Sequence, residues 1–94
     1  MMSASKYAKR LNIFLFLNDE NNIHYLNSML EEFCKENLCT YEVHPSSVVK
    51  RFFYIECYSN VTPLSKLHEG IESTILNKAS NIITWYKIEV IEVK

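Results

Sequence analysis

The fold is decided by residues 11–38, whose sequence is LNIFLFLNDENNIHYLNSMLEEFCKENL. The stretch opens with the apolar run Leu11–Leu17, which is short enough to form a buried strand. Apolar residues then recur at helical spacing through Ile23–Leu38, which predicts an amphipathic helix. Between the two lie Asn18 and Asp19, residue types that commonly cap a helix N-terminus. The stretch therefore predicts a buried strand that is followed at once by a helix.

The rest of the chain continues this alternation. Two further strands are predicted at Leu38–Val43 and Phe52–Tyr58, a second helix at Leu64–Leu76 and a long last strand at Ile82–Val93. The order strand, helix, strand, strand, helix, strand is typical of the ferredoxin-like βαββαβ sandwich, which is an α+β fold. We therefore expect a four-stranded antiparallel sheet in the order 4-1-3-2. Right-handed crossovers would place both helices on one face of that sheet.

The length and charge describe one small globular domain. The chain has 94 residues, which suits a single domain. Residues 1–9 lack hydrophobic periodicity and are expected to form a flexible N-terminus, so that residues 10–94 form a single α+β domain. The hydrophobic fraction is 48%, and the net charge of −1 creates no general attraction to nucleic acid or anionic lipid. No apolar run approaches the ~20 residues that cross a bilayer. We expect a cytoplasmic protein that binds neither membrane nor DNA.

The sequence offers little for metal, cofactor or catalytic chemistry. Its three cysteines, Cys34, Cys39 and Cys57, are an odd number, which favours reduced thiols over a disulfide framework. No two of them lie at zinc-finger spacing, and we expect each to be a small core residue. Gly70 is the single glycine, so no glycine-rich nucleotide-binding motif can be written. We predict no metal site, no cofactor and no catalytic residues.

Two positions depart from the regular patterns of their elements. Gly70 lies inside the second helix, where glycine costs roughly 1 kcal/mol relative to alanine. Such a glycine would suit a close approach of that helix to the sheet. In the last strand, Ile91 and Val93 fall out of phase with the preceding alternation. A bulge near Val90 would explain this, as would a tail that pairs with another chain.

The strand phases divide the side chains of the sheet between its two faces. The face under the helices is predicted to carry Leu11, Ile13, Leu15, Leu17, Tyr41, Val43, Phe53, Ile55, Cys57, Ile82, Tyr86 and Ile88. The other face is predicted to carry aromatic residues across its middle, namely Phe14, Phe16, Phe52, Tyr54 and Trp85. Its margins are predicted to be polar, with Thr40, Glu42, His44, Lys87 and Glu89. An exposed aromatic patch usually marks a partner site, and we include Tyr58 at the end of the third strand in it.

This helix-free face provides the main functional hypothesis. Aromatic centres with polar rims are typical of protein interfaces. We expect a small non-catalytic interaction protein, such as an inhibitor, an immunity protein or a subunit of a complex. Its partner would be another protein or a second copy of the chain, as a homodimer. In a homodimer, Ile91 and Val93 would help the strands of the two copies to pair.

An alternative is single-stranded RNA binding. Residues Lys50–Cys57, KRFFYIEC, resemble the octamer of the RNA recognition motif, and Ile13–Leu15 resembles the start of its hexamer. The resemblance implies that three rings stack on bases, those of Phe14, Phe52 and Tyr54. It also implies that Lys50, followed by Arg51, lies near the phosphates.

Several departures from that motif favour protein over RNA. Arg51 and Phe53 are bulky where the octamer has small residues. Three carboxylates predicted on the same face would repel a phosphate chain, those of Glu42, Glu56 and Glu89. The two basic clusters, Lys9 with Arg10 and Lys50 with Arg51, are predicted at opposite ends of the sheet. They would therefore form no continuous basic track.

A third hypothesis is a dimeric α/β barrel that binds a small molecule. The dimeric form of this fold can enclose a cavity between the two sheets. His44, Tyr54 and Glu56 would then line that cavity. No sequence motif identifies a ligand for it.

Overall fold

The structure is a computed structural model that describes residues 9–92. Its helices and strands are β1 (Lys9–Leu17), α1 (Ile23–Asn37), β2 (Thr40–Pro45), β3 (Phe52–Tyr58), α2 (Leu64–Gly70) and β4 (Ile83–Glu92). A short 3-10 turn, Glu20–Asn22, precedes α1, and α2 continues directly as a π-helical segment, Ile71–Leu76. Most of the N-terminal segment that is predicted to be flexible lies outside the described residues.

The four strands form one antiparallel sheet in the order β2-β3-β1-β4. This is the predicted order 4-1-3-2 read from the opposite edge, so the α+β fold and the sheet topology are confirmed. The central strands are β1 and β3, and the edges are β2 and β4. Within residues 9–92, no helix combines the length and apolar character needed to cross a membrane.

The core lies between the sheet and the two helices. Alternate residues of β1 are at most 1% exposed, namely Leu11, Ile13, Leu15 and Leu17. They belong to one buried cluster with residues of α1 and of the second helical region, including Leu26, Leu30, Phe33, Leu67, Ile71 and Ile75. The predicted phase of β1 is therefore correct. This phase determines which residues of every paired strand face away from the helices.

A register shift lies at the start of β4 rather than near its end. The pairs on either side of the shift are Phe16 with Trp85 and Leu17 with Ile83. Thr84 is the extra residue between them, as in a β-bulge. Val90 pairs with Leu11 in regular register, so the predicted bulge near Val90 is wrong. Ile91 looks out of phase because it is an apolar residue on the helix-free face, and Val93 lies outside the described residues.

Gly70 permits a close approach between α2 and α1, which lie side by side on the sheet. A β-carbon built on Gly70 would lie 2.7 Å from Cε2 and 2.9 Å from Cζ of the buried Phe33 ring. The neighbour that requires glycine is therefore a side chain of α1, whereas a close approach to the sheet was expected. The helical backbone at Gly70, with φ of −64°, would accept any residue, so the requirement is one of space.

Candidate functional site

On the helix-free face, three strands bring five aromatic side chains together. We call this group the aromatic cluster; it consists of Phe14, Phe16, Phe52, Tyr54 and Trp85. The register places Phe14 opposite Tyr54, and Phe16 opposite both Phe52 and Trp85. Because directly opposed residues of antiparallel strands share a face, all five rings lie on the same surface.

The rings of the aromatic cluster hold one another in place. The Phe16 ring centroid lies 4.7 Å from that of Phe52 and 6.1 Å from that of Trp85, with edge-on geometry in both pairs. Phe14 stacks on Tyr54 with centroids 5.0 Å apart. Such pairs contribute about 0.5–1.5 kcal/mol beyond the burial of their area. Trp85, at the β4 side, remains 48% exposed. Tyr54 is only 9% exposed, so it does not belong to an exposed patch as predicted. The cluster is therefore ordered by its own contacts, and the apolar surface that it presents to solvent lies mainly at Trp85.

Beside these rings lies a polar cluster, which we define as Arg10, Asn12, His44 and Glu56 around the Tyr54 hydroxyl. That hydroxyl lies 2.8 Å from Oδ1 of Asn12 and 3.0 Å from Oε1 of Glu56. Arg10 Nε donates to the same Asn12 oxygen at 2.9 Å. His44 Nε2 lies 3.9 Å from Oε1 of Glu56, and the His44 ring stacks on Tyr54 with centroids 5.5 Å apart. Asn12 and Glu56 are each only 7% exposed.

Burial controls the electrostatics of the polar cluster. Desolvation raises the pKa of the Tyr54 hydroxyl; the Arg10 guanidinium opposes this shift and the Glu56 carboxylate adds to it. The phenol therefore stays protonated at neutral pH and donates to one of its two acceptors at a time. Within residues 9–92, every buried polar side-chain atom has a hydrogen-bond partner. The cluster is a satisfied network that combines cationic, neutral and anionic groups at one end of an apolar patch.

Three of the predicted site residues lie apart from the aromatic cluster. Tyr58 lies at the end of β3, two residues beyond Glu56. Lys50 and Arg51 lie exposed in the turn between β2 and β3. The β1–β3 register places that turn at the end of the sheet opposite to Arg10, so the two basic groups are separated as predicted. The structure therefore brings together five of the six predicted partner-binding residues. It places Lys50 and Arg51 away from this cluster, at the end of the sheet opposite to Arg10.

Asn12 and Arg10 belong to the polar cluster but not to the predicted partner site. A sequence signal for both existed, because Arg10 and Asn12 share the strand face of Phe14. On β3, Glu56 likewise shares the face of Tyr54. The register that sets Asn12 directly opposite Glu56 becomes visible only in the assembled sheet.

On the helix-covered side, three cysteines that were expected to be separate core residues come together. The Sγ atoms of Cys34, Cys39 and Cys57 all lie within 4.8 Å of one another, and those of Cys34 and Cys39 are 2.7 Å apart. We call this group the thiol cluster. All three cysteines are free; Cys34 and Cys57 are buried and Cys39 is partly exposed. Hydrogen bonds with Cys34 and then Cys57 lower the pKa of the Cys39 thiol. The hydrogen bond with Cys39, together with burial, raises the pKa of Cys34. Hydrogen bonds with Cys34 and then Cys39, together with burial, raise the pKa of Cys57.

Comparison with known proteins supports the fold and goes no further. No protein-family model matches the chain, and no curated protein matches it. The structure is similar to the crystal structure of PA3566 from Pseudomonas aeruginosa, with a TM-score of 0.67. The alignment covers 97% of this chain and 99% of that one, at 14% sequence identity. At this identity the likeness concerns the compact α+β fold alone.

Proposed function

We propose that this protein is a non-catalytic interaction module that associates with a second copy of itself through the helix-free face. The observation that carries the proposal is the aromatic cluster, which neither helix covers and in which Trp85 is 48% exposed. Burial of exposed apolar surface away from water lowers the free energy, so such a surface favours association with a partner. In a symmetric dimer, one set of contacts would bury the same patch on both copies.

The edge strand β4 supports a second copy as the partner. It is ten residues long, and on the helix-free face it carries Trp85, Lys87, Glu89 and Ile91. The other edge, β2, is shorter and ends at Pro45, which suits an edge that stays unpaired. This long edge strand carries Trp85 of the aromatic cluster, so it offers a second copy a backbone edge to pair with beside that cluster.

The charges and ring positions of the helix-free face favour protein over RNA as the partner. Glu42 lies opposite Glu56 across the β2–β3 pair, and two carboxylates at this position would repel phosphate. Tyr54 lies between Phe14 on β1 and His44 on β2, which stack on it at 5.0 Å and 5.5 Å. Base stacking on Tyr54 would require one of these neighbouring rings to move. RNA binding by Phe14, Phe52 and Tyr54 therefore stays the alternative outcome of the test.

Light scattering during size-exclusion chromatography tests the proposal. We expect a dimer for the wild type and a monomer for Phe52→Glu, because an unpaired carboxylate buried in the interface is costly. Tyr25→Glu is the matched control: Tyr25 is a 56% exposed aromatic residue on α1, and its variant should stay dimeric. Circular dichroism should show that both variants keep the wild-type helical signal. A monomeric wild type or a dimeric Phe52→Glu variant would contradict the proposal, and a monomer that co-elutes with nucleic acid would favour the RNA alternative.

The polar cluster favours a second candidate function, the binding of a small molecule between two copies. Its buried Asn12 and Glu56 lie next to the aromatic cluster, so face-to-face association would enclose hydrogen-bonding groups beside apolar walls. That combination is typical of ligand pockets. A thermal-shift screen of small polar aromatic compounds tests this function. A ligand of the pocket should lose its effect in Glu56→Gln while the dimer mass is unchanged; a screen without such a ligand would argue against the function.

A further inference from the structure

The thiol cluster is used by neither proposed function, because it lies on the opposite side of the sheet from the aromatic cluster. Its sulfurs come from three separate parts of the fold. Cys34 lies in the last turn of α1, Cys39 lies two residues beyond the end of α1, and Cys57 points from β3 toward the helices. The three Sγ atoms nevertheless lie within 4.8 Å of one another. Three potential ligands therefore converge on one point of the core.

The turn that presents Cys39 is fixed by hydrogen bonds. Leu38, the C-cap residue that follows α1, has a left-handed conformation with φ of 52°, and the Cys39 amide donates to the Cys34 carbonyl at 3.0 Å. The Ser59 hydroxyl donates to the Leu38 carbonyl at 2.7 Å, and the Thr62 hydroxyl donates to the Asn37 carbonyl at 2.6 Å. The loop between β3 and α2 thus holds this turn in place. A frame of this kind keeps ligands in position before a metal arrives.

We propose that the thiol cluster binds one thiophilic d10 cation, Cu⁺ or Zn²⁺, through the Sγ atoms of Cys34, Cys39 and Cys57. Thiolates are soft ligands that select these ions over Mg²⁺, Ca²⁺ or Mn²⁺. Among residues 9–92, no carboxylate or imidazole joins the three sulfurs, so a hard cation would lack oxygen ligands there. The proposal replaces the expectation, drawn from sequence spacing, that the cysteines are inert core residues.

The two ions would use the site differently. Cu⁺ accepts three thiolates with no further ligand. Zn²⁺ prefers four ligands and would add a water molecule on the side where Cys39 is partly exposed. In either case, each thiol that is still protonated releases its proton when its sulfur binds the ion. No atom changes its oxidation state in this step.

The distances between the three sulfurs of the thiol cluster are close to those that such an ion requires. A cation about 2.3 Å from three sulfurs in one plane holds those sulfurs about 4 Å apart. The sulfurs already lie within 4.8 Å of one another. The Cys34–Cys39 separation of 2.7 Å must widen, which rotation of the partly exposed Cys39 side chain can provide.

Anaerobic titration of the reduced full chain with Cu⁺, and separately with Zn²⁺, tests the proposal. Native mass spectrometry should show one ion per chain with at least one of the two metals, and a comparison of the two titrations identifies which. X-ray absorption of the loaded protein should then show three sulfur neighbours at about 2.3 Å. A site with mainly nitrogen or oxygen neighbours, or no bound ion in either titration, would overturn the proposal.

Cys39→Ser is the decisive variant, because its partly exposed position makes the change compatible with folding, which circular dichroism can verify. Metal affinity should fall by more than the ~10–100-fold that loss of an outer-shell partner causes. His68→Ala is the control for adventitious binding, since His68 Nε2 lies 2.9 Å from Oε1 of Glu72 at the surface. Its metal affinity should equal that of the wild type. Unchanged affinity in Cys39→Ser, loss of binding in His68→Ala, or a Cys34–Cys39 disulfide that persists in reductant would contradict the site.

Discussion

The two faces of the sheet use the same strands but differ in how completely they are sealed. On the helix-covered face, Leu11 and Leu15 are fully buried beneath the helices. On the other face, the neighbouring positions of the same strands carry rings that contact one another and leave Trp85 half exposed. Side chains alternate along a strand, so one strand can contribute to a core and to a surface at once. The difference teaches that the helices seal one face of the sheet within the chain, whereas the other face is ordered by contacts among its own side chains and stays partly open to solvent.

The largest expected effect separates two neighbours on β1. Leu15→Ala should lower the free energy of unfolding by about 2–5 kcal/mol, because it opens a cavity in a fully packed core. Phe16→Ala should cost less than about 2 kcal/mol, since Phe16 is already partly exposed before the change. Urea denaturation of both variants, at concentrations below those that support association, measures the difference. Equal losses of stability would contradict the distinction between a sealed core face and a partly exposed helix-free face.

A smaller effect tests how tightly the helix-covered side is packed. Gly70→Ala should destabilise the protein, because overpacking against Phe33 costs about 1–3 kcal/mol. That cost exceeds the roughly 1 kcal/mol that alanine contributes through helix propensity. In a Phe33→Leu background, which lacks the contacting ring atoms, the same substitution should stabilise the protein. Thermal unfolding of the wild type, the two single variants and the double variant measures this double-mutant cycle. If Gly70→Ala stabilised the otherwise unchanged protein, the helices would have room to adjust to the added methyl group.

The smallest effect tests the polar part of the helix-free face. Tyr54→Phe removes the hydroxyl between Asn12 and Glu56 and should cost about 0.5–1.5 kcal/mol. Burial raises the pKa of this hydroxyl in the folded state, so its contribution is complete below the unfolded value of about 10 and is lost as the pH rises through the folded value. Stability should therefore fall less steeply above about pH 10 in Tyr54→Phe than in the wild type. Urea denaturation across that range checks this, and parallel profiles would indicate that the hydroxyl is not coupled to folding.

The fold and the face of most strand residues could be predicted because both follow from periodicity. Helical and strand repeats alternate clearly along the chain, and β1 shows its buried side through Leu11, Ile13 and Leu15. The bulge could not be placed, because an irregular phase does not show which end of a strand carries the extra residue. Ile91 breaks the apolar pattern because it is an apolar residue on the helix-free face, whereas Thr84, the extra residue of the bulge, fits the alternation of the sequence.

The polar cluster and the thiol cluster could not be predicted, because each depends on a detail of the folded structure. Asn12 and Glu56 meet only when the β1–β3 register is known. Cys39 approaches Cys34 because Leu38 adopts a left-handed conformation, which sequence reasoning expects from glycine or asparagine. Neither detail leaves a local signal. The candidate sites were therefore visible as residue types but not as contacts.

The central claim is that copies of this chain associate through the helix-free face, and Trp85 reports on it directly. Trp85 is the only tryptophan and belongs to the aromatic cluster. The most direct measurement is acrylamide quenching of its fluorescence over a dilution series, together with the mass by light scattering. We predict that quenching falls and emission moves to shorter wavelength as the dimer forms, with one midpoint for both signals. Phe52→Glu should stay fully quenchable at all concentrations. A dimer in which Trp85 is quenched as readily as in the monomer would contradict the claim.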